Sequence, residues 1–364
     1  MSGHGVKRAQ DRSQIARWST APRIVSLVFI VTMVAASCAP RNTAQRAAAH
    51  PSARIEPIYV ATQRELNRTG PVFGEQRPRD VNYFRADISV PSTHESGLIE
   101  WPKGPPDAAT DFVVIDTQVF GNSSAFVRQV HAETPGRETL VFVHGYNNTL
   151  SESMYRLAQI QTDFETGMPS VLFSWPSAGD PRGYIYDRDS ILFSRDDLEE
   201  TLKVLTTGSG EKVFLIAHSL GSHLVMEVLR QAAQRGDRRL LNRISGVVLM
   251  SPDIDPDLFR RQAEAIGKLP QPFFIFISRQ DRALSLAGFL TGQKPRLGVI
   301  DAPEQMKGLD VTVVDFTELA DGEGFNHFVP VTSPAAITVL NGMIDQAGRR
   351  GTGFGKFMVL KAQP

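Results

Sequence analysis

Ser219 stands at the end of the apolar run Val213-Phe214-Leu215-Ile216-Ala217, one residue beyond His218, with a small residue two places before it, Ala217, and another two places after, Gly221. A chain that turns from strand to helix within one residue has room only for small side chains at those two positions, and it thrusts the residue at the apex outward. A serine so placed is available as a nucleophile, whereas a serine opening an ordinary helix only caps its first amides. Glycine is the commoner residue where this chain has Ala217, but a single methyl adds little bulk. From Leu220 through Leu224, Val225, Val228 and Leu229 the apolar residues recur at helical spacing. Strand, turn and helix therefore stand in the order that the nucleophile reading needs.

A serine nucleophile requires a base, a carboxylate to fix the tautomer of that base, and donors for a developing oxyanion. Elbows of this kind carry their partners in the chain order Ser, acid, His. The run Phe273–Ile277 reads as a strand whose carboxyl end delivers Ser278-Arg279-Gln280-Asp281. Asp281 is therefore the expected acid. Asp253 and Asp255, just after the preceding strand, are its rivals, and a helix cap is the alternative role for Asp281 itself. His327, in the glycine-bearing segment Gly322–Phe328, is the only histidine beyond all three aspartates and is the expected base. His218 and His223, beside the serine, read as packing or supporting groups. Leu140–Val143 followed by His144-Gly145-Tyr146 reads as a strand ending in a tight turn. The main-chain amides of Leu220 and Tyr146 are accordingly the expected oxyanion donors.

These residues need a scaffold. Short apolar runs at 139–143, 171–174, 213–217, 244–250, 273–277 and 311–316 alternate with helical patterns around 153–164, 190–205, 220–234, 257–266 and 335–344. That alternation predicts a mostly parallel sheet, and runs apolar on both faces predict buried strands. Ile58–Thr62, Tyr83–Val90 and Phe112–Asp116 precede them as further strands. The few residues between Met250 and Asp257 leave no room there for a large cap domain. Pro176–Asp189, with Tyr184 and Tyr186, and Ser285–Gly298, with Phe289 and Leu290, are the loops left to shape a pocket or simply to pack on the surface.

Composition agrees with an ordinary globular body: of 364 residues 41% are hydrophobic and 21% charged, with 39 basic and 39 acidic side chains. Such a balance gives no basic field for nucleic acid. No G-x-G-x-x-G or P-loop spacing is present, and a single cysteine builds no zinc site, so neither cofactor nor metal is expected. The amino terminus is different. Lys7, Arg8, Arg12, Arg17 and Arg23 precede the apolar run Ile24–Val34, which leads into Ala35-Ala36-Ser37-Cys38. This is the order of a secretory signal, with an uncleaved anchor or plain secretion as the rivals. The small residues before Cys38 resemble a bacterial lipoprotein box. The expected organisation is a lipoprotein-type signal over 1–37, a tether over 38–54 with Cys38 carrying the lipid, a folded domain over 55–347, and a mobile tail over 348–364 in which Phe357–Leu360 can dock. The expected location is the bacterial envelope, anchored by lipid and facing the periplasm or the surface.

Six segments in order, Ile58–Arg64, Val143–Asn148, Phe173–Ser177, Ala217–Ser222, Ser251–Asp255 and Ser278–Leu284, resemble a family of bacterial α/β-hydrolases of unknown function, esterase-like or lipase-like and often lipoproteins. The resemblance spans about residues 55–345. It implies the α/β-hydrolase fold and a Ser-Asp-His triad, without a substrate. The expected activity is hydrolysis of small carboxylic esters or lipids through an acyl-enzyme. An amidase, peptidase or acyltransferase with the same triad, or an inactive lipid-anchored scaffold, is the alternative.

Overall fold

The computed structural model describes residues 1–3 and 42–360, apart from residues 65, 68–71, 74–75, 134–137, 293, 302, 321–323 and 351–356. The expected signal segment beyond residue 3, and Cys38, lie outside the described residues. Among the described residues no helix is long and apolar enough to cross a membrane.

The chain forms strands β1 (Arg54–Thr62), β2 (Leu66–Asn67), β3 (Val72–Phe73), β4 (Asn82–Val90) and β5 (Val113–Phe120), then helix α1 (Ser123–Ala132). Strand and helix alternate from there: β6 (Glu138–Val143), α2 (Leu150–Phe164), β7 (Ser170–Ser174), α3 (Tyr184–Phe193), α4 (Arg195–Leu205), β8 (Lys212–His218) and α5 (Leu220–Gln234). After them come α6 (Arg238–Asn242), β9 (Ile244–Met250), α7 (Pro256–Ile266), β10 (Phe273–Ile277), α8 (Arg282–Leu290) and β11 (Thr312–Asp315). The chain closes with α9 (Val329–Thr332), α10 (Pro334–Arg350) and β12 (Phe357–Val359). Ten strands make one sheet in the order β12-β11-β10-β9-β8-β6-β7-β1-β4-β5. All neighbours from β12 to β1 pair in parallel, and β4 and β5 add an antiparallel edge.

Side chains alternate across a strand, so each parallel strand feeds two cores. Val141, Val143, Leu215 and Ala217 face one side, where α1, α4, α5 and α7 bury Phe126, Leu202, Leu224 and Phe259. Leu140, Phe142 and Leu172 face the other, against Leu157 and Ile160 of α2 and Ala336 of α10. Both faces being covered is why these strands read as unbroken apolar runs. Truncating a side chain as enclosed as Leu224 costs about 2–5 kcal/mol.

Several segments differ from the sequence expectation. Tyr184 and Tyr186 stand on α3 rather than in a loop, and Ser285–Phe289 belong to α8. The stretch expected as a single helix near 190–205 divides at Ser194 into α3 and α4. Residues 348–364, expected as a tail, supply β12, whose Phe357–Val359 pair with Val313–Asp315. At the other end of the chain, Ala47 N–H donates to Val114 O and Val114 N–H to Gln45 O, so part of the expected tether lies along β5.

Candidate active site

The sharp end of β8 sets the geometry. His218 closes the strand, Leu220 opens α5, and Ser219 between them adopts φ 52° and ψ −122°. A side chain in that region is strained by roughly 1–3 kcal/mol, and the turn is held by its own amides. Ser219 N–H donates to Met250 O at 3.0 Å, Asp253 N–H to Ser219 O at 3.2 Å, and Ser222 Oγ to Ala217 O at 3.0 Å. The small flanking residues have identifiable reasons. A methyl on Gly221 would stand 2.4 Å from His144 O and 2.6 Å from Val143 O, so α5 touches the end of β6 through bare backbone. A methyl on Gly145 would stand 2.5 Å from His218 Nδ1 and 2.7 Å from Ser219 Cβ. The turn after β6 thus passes directly over the serine.

Two further loops meet beside it. At the end of β10, Asp281 caps α8: its Oδ1 accepts from Leu284 N–H at 2.9 Å. Its Oδ2 lies 2.7 Å from His327 Nδ1. Asp281 is fully buried, and the His327 side chain is 14% exposed. A carboxylate only accepts, so Nδ1 carries the proton and Nε2 is left as a basic nitrogen. Phe325 and Asn326, just before His327, take left-handed conformations with φ 60° and 57°. Asn326 Nδ2 reaches back to Gln280 O at 3.4 Å, tying this turn to the Asp281 loop. His218 joins the group from the serine side. Its ring centroid is 4.5 Å from that of His327, its Nε2 lies 3.2 Å from His327 O, and Phe328 stacks on it at 3.7 Å. Burial, reinforced by the neighbouring His327, holds the His218 pKa well below the usual value. The ring is neutral and packs as an aromatic plate.

Asp253 and Asp255 have other partners. Asp253 is buried, with Oδ1 2.5 Å from Arg296 Nε and Oδ2 accepting from the Tyr184 hydroxyl at 2.9 Å. Asp255 caps α7 through the N–H groups of Asp257 and Leu258. His223 is buried on α5, and burial lowers its pKa to about 4.

The turn carrying Tyr146 is braced by several buried side chains. Asp187 on α3 accepts from Asn147 N–H at 2.9 Å, Ser177 Oγ at 2.7 Å and Ala178 N–H at 2.7 Å, binding two loops together. Arg64 donates to Asn148 O at 2.9 Å and Ser177 O at 3.1 Å. Gly145 N–H is taken by Asn148 Oδ1 at 3.2 Å. His144 stacks on Trp175 at 4.6 Å, and its ring nitrogens meet the carbonyls of Gly145 and Trp175. Burial, with the Arg64 guanidinium beside it, pushes His144 down to about 3, so this ring is a neutral brace. The signal for Arg64, Trp175 and Ser177 was their presence in the resembling segments. Asp187 had none. Among the described residues no group of three or more His, Cys, Asp or Glu side chains is placed to hold a metal.

A family model described as alpha/beta hydrolase of unknown function (DUF900) matches residues 121–344. No curated protein matches the chain. Among solved structures, a Pyrobaculum calidifontis esterase is 13% identical, covering 94% of this chain and 96% of its own, with a TM-score of 0.37. A Rhizomucor miehei esterase is likewise 13% identical, with 94% of each chain covered and a TM-score of 0.35. Esterase B from Lactobacillus rhamnosis is 12% identical, covering 90% and 97%, with a TM-score of 0.36.

Proposed function

Because the chain belongs to the DUF900 family of alpha/beta hydrolases, we propose that it is a serine hydrolase of carboxylic esters in which Ser219 is the nucleophile, His327 the base and Asp281 the group that orients it. The observation that carries this reading is the 2.7 Å contact between Asp281 and His327 Nδ1, beside the strained turn that presents Ser219. Ser219 Oγ attacks the acyl carbon while its proton passes to His327 Nε2. The oxyanion is received by the main-chain N–H of Leu220, an orphan amide of the first turn of α5, and by that of Tyr146. Collapse of the tetrahedral adduct expels the alcohol, which takes the proton from His327. Water then repeats the sequence on the acyl-enzyme and releases the acid. An ester asks least of such a site, because an alkoxide is a much less basic leaving group than the nitrogen of an amide.

The experiment is labelling with a fluorophosphonate, which reacts only with an activated serine, alongside turnover of a short-chain p-nitrophenyl ester. Wild type is expected to label and turn over, and Ser219→Ala to do neither. An unlabelled, inactive wild type would leave the fold serving as a scaffold. Separately, the basic amino terminus, the apolar run 24–34 and the small residues before Cys38 support a lipid anchor on Cys38 and a place in the bacterial envelope. Incorporation of an alkynyl fatty acid, absent in Cys38→Ser, is the expected result. Equal incorporation in both would remove that assignment.

A further inference from the structure

A cavity of about 220 Å³ lies at the carboxyl edge of the sheet, next to the Ser219 centre, among Trp101, Ile99, Asn148, Glu152, Arg156 and Phe328. Two of its walls belong to the site already described. Phe328 follows His327 and stacks on His218, and Asn148 holds the Gly145 amide. The third feature is a cation. Arg156 of α2 directs Nη1 to Gly97 O at 3.3 Å and to Gln159 Oε1 at 2.7 Å, both neutral acceptors, and its guanidinium carbon sits 5.2 Å from the centre of the Phe328 ring. Among the described residues no carboxylate forms an ion pair with it within 4 Å, and Asp163, held by the same Gln159, acts on it from farther away. The other charge on the cavity wall, Glu152, is engaged at the start of α2, where its Oε2 accepts from Thr149 N–H at 2.9 Å in a capping box.

Arg156 is half-buried on a wall shared with Trp101 and Phe328, and with Nη1 held by neutral oxygens its Nε and Nη2 have no partner among the described residues, which leaves two nitrogen donors for a ligand. Burial lowers the Arg156 pKa to about 10, and the group is still charged at neutral pH. A planar guanidinium fork matches the two oxygens of a carboxylate or phosphate. The cavity is smaller than the roughly 300–1,000 Å³ of drug-sized pockets, so it suits a short polar terminus rather than a long acyl chain.

We propose that this cavity receives an anionic terminus of the substrate, a carboxylate or a phosphate, so that the preferred esters carry a negative charge a short distance from the bond that Ser219 attacks. The assignment rests on the hydrolase reading for its reaction and on Arg156 for its selectivity.

Mono-p-nitrophenyl glutarate and its methyl-capped neutral counterpart measure the selectivity as a ratio of kcat/KM. Wild type is expected to prefer the anionic ester by about tenfold or more, mainly through KM, and Arg156→Met to lose that preference while Arg156→Lys keeps part of it. A wild type without preference, or a preference that survives in Arg156→Met, would overturn the proposal. If Arg156→Met does not fold, inhibition of wild type decides. Competitive inhibition by free glutarate or by inorganic phosphate is expected and identifies which anion fits, and inhibition by neither would overturn the proposal. If neither ester is hydrolysed, calorimetric titration of both anions into wild type and Arg156→Lys separates the two readings. Binding that weakens in the variant keeps the cavity assignment while the hydrolase reading fails. Absence of binding removes the cavity assignment as well.

Discussion

Asp281 divides its carboxylate between two partners: Oδ2 lies 2.7 Å from His327 Nδ1, while Oδ1 accepts from Leu284 N–H at 2.9 Å. Helix capping and histidine orientation, which compete as explanations on paper, are performed by different oxygens of the same group. Helix α8 thereby anchors the carboxylate that holds His327, and α8 in turn packs on the 324–326 turn that leads into His327.

The three neighbouring aspartates should separate by the kind of damage they cause. Asp281→Asn is expected to lower kcat for a p-nitrophenyl ester by on the order of 10⁴-fold, since the amide favours the wrong tautomer of His327. Asp253→Asn instead leaves Arg296 buried opposite a neutral group and should cost roughly 3–5 kcal/mol of stability. Asp255→Asn keeps the cap on α7 and should cost little by either measure. Ester turnover and urea denaturation of each variant provide the check. A turnover deficit for Asp253→Asn larger than that for Asp281→Asn would reverse the assignment.

Away from the site, His94 bridges Glu100 at 2.9 Å and Asp163 at 3.1 Å, joining the segment after β4 to α2. Burial opposes charge on this ring, but hydrogen bonds to Asp163 and Glu100 outweigh it and raise its pKa from the usual 6.5 to about 9. A raised folded-state pKa contributes stability that is complete below pH 6.5 and is lost as pH climbs through 9. The upper limit is on the order of 3 kcal/mol. The stability gap between wild type and His94→Gln should therefore be widest near pH 6 and narrow by pH 10. A gap that grows with pH in denaturant titrations would contradict the bridge.

Much of this architecture can be read in the chain because the central strands are buried on both faces and the elbow has few alternatives. Ser219, Asp281 and His327 all stand at strand ends or in the loops after them. Helix α3 is harder to see for a physical reason. It begins after Gly183 without a side-chain cap, and Ile185, Leu192 and Phe193 on it are exposed, so it has no clean apolar stripe. Helix α8 is capped by Asp281 but likewise lacks a clean apolar stripe, since Leu286 and Phe289 face outward. Asp187 was illegible as a site component because its partners, the Asn147 and Ala178 amides and the Ser177 hydroxyl, belong to loops that converge only in three dimensions, and the carbonyls that Arg64 bonds belong to the same loops. β12 is a three-residue strand whose pairing with β11 no local pattern announces.

The φ of 52° at Ser219 has a consequence for how this protein balances endurance against work. Any residue with a Cβ holds that turn at a cost, and glycine holds it almost freely. Ser219→Gly should therefore melt at a higher temperature than Ser219→Ala, by the equivalent of about 1 kcal/mol or more, although both lack the hydroxyl. Equal melting temperatures would show the turn to be relaxed. If the gap is found, the serine is a position where thermodynamic stability alone would favour another residue, and its presence marks a concession of stability to reactivity.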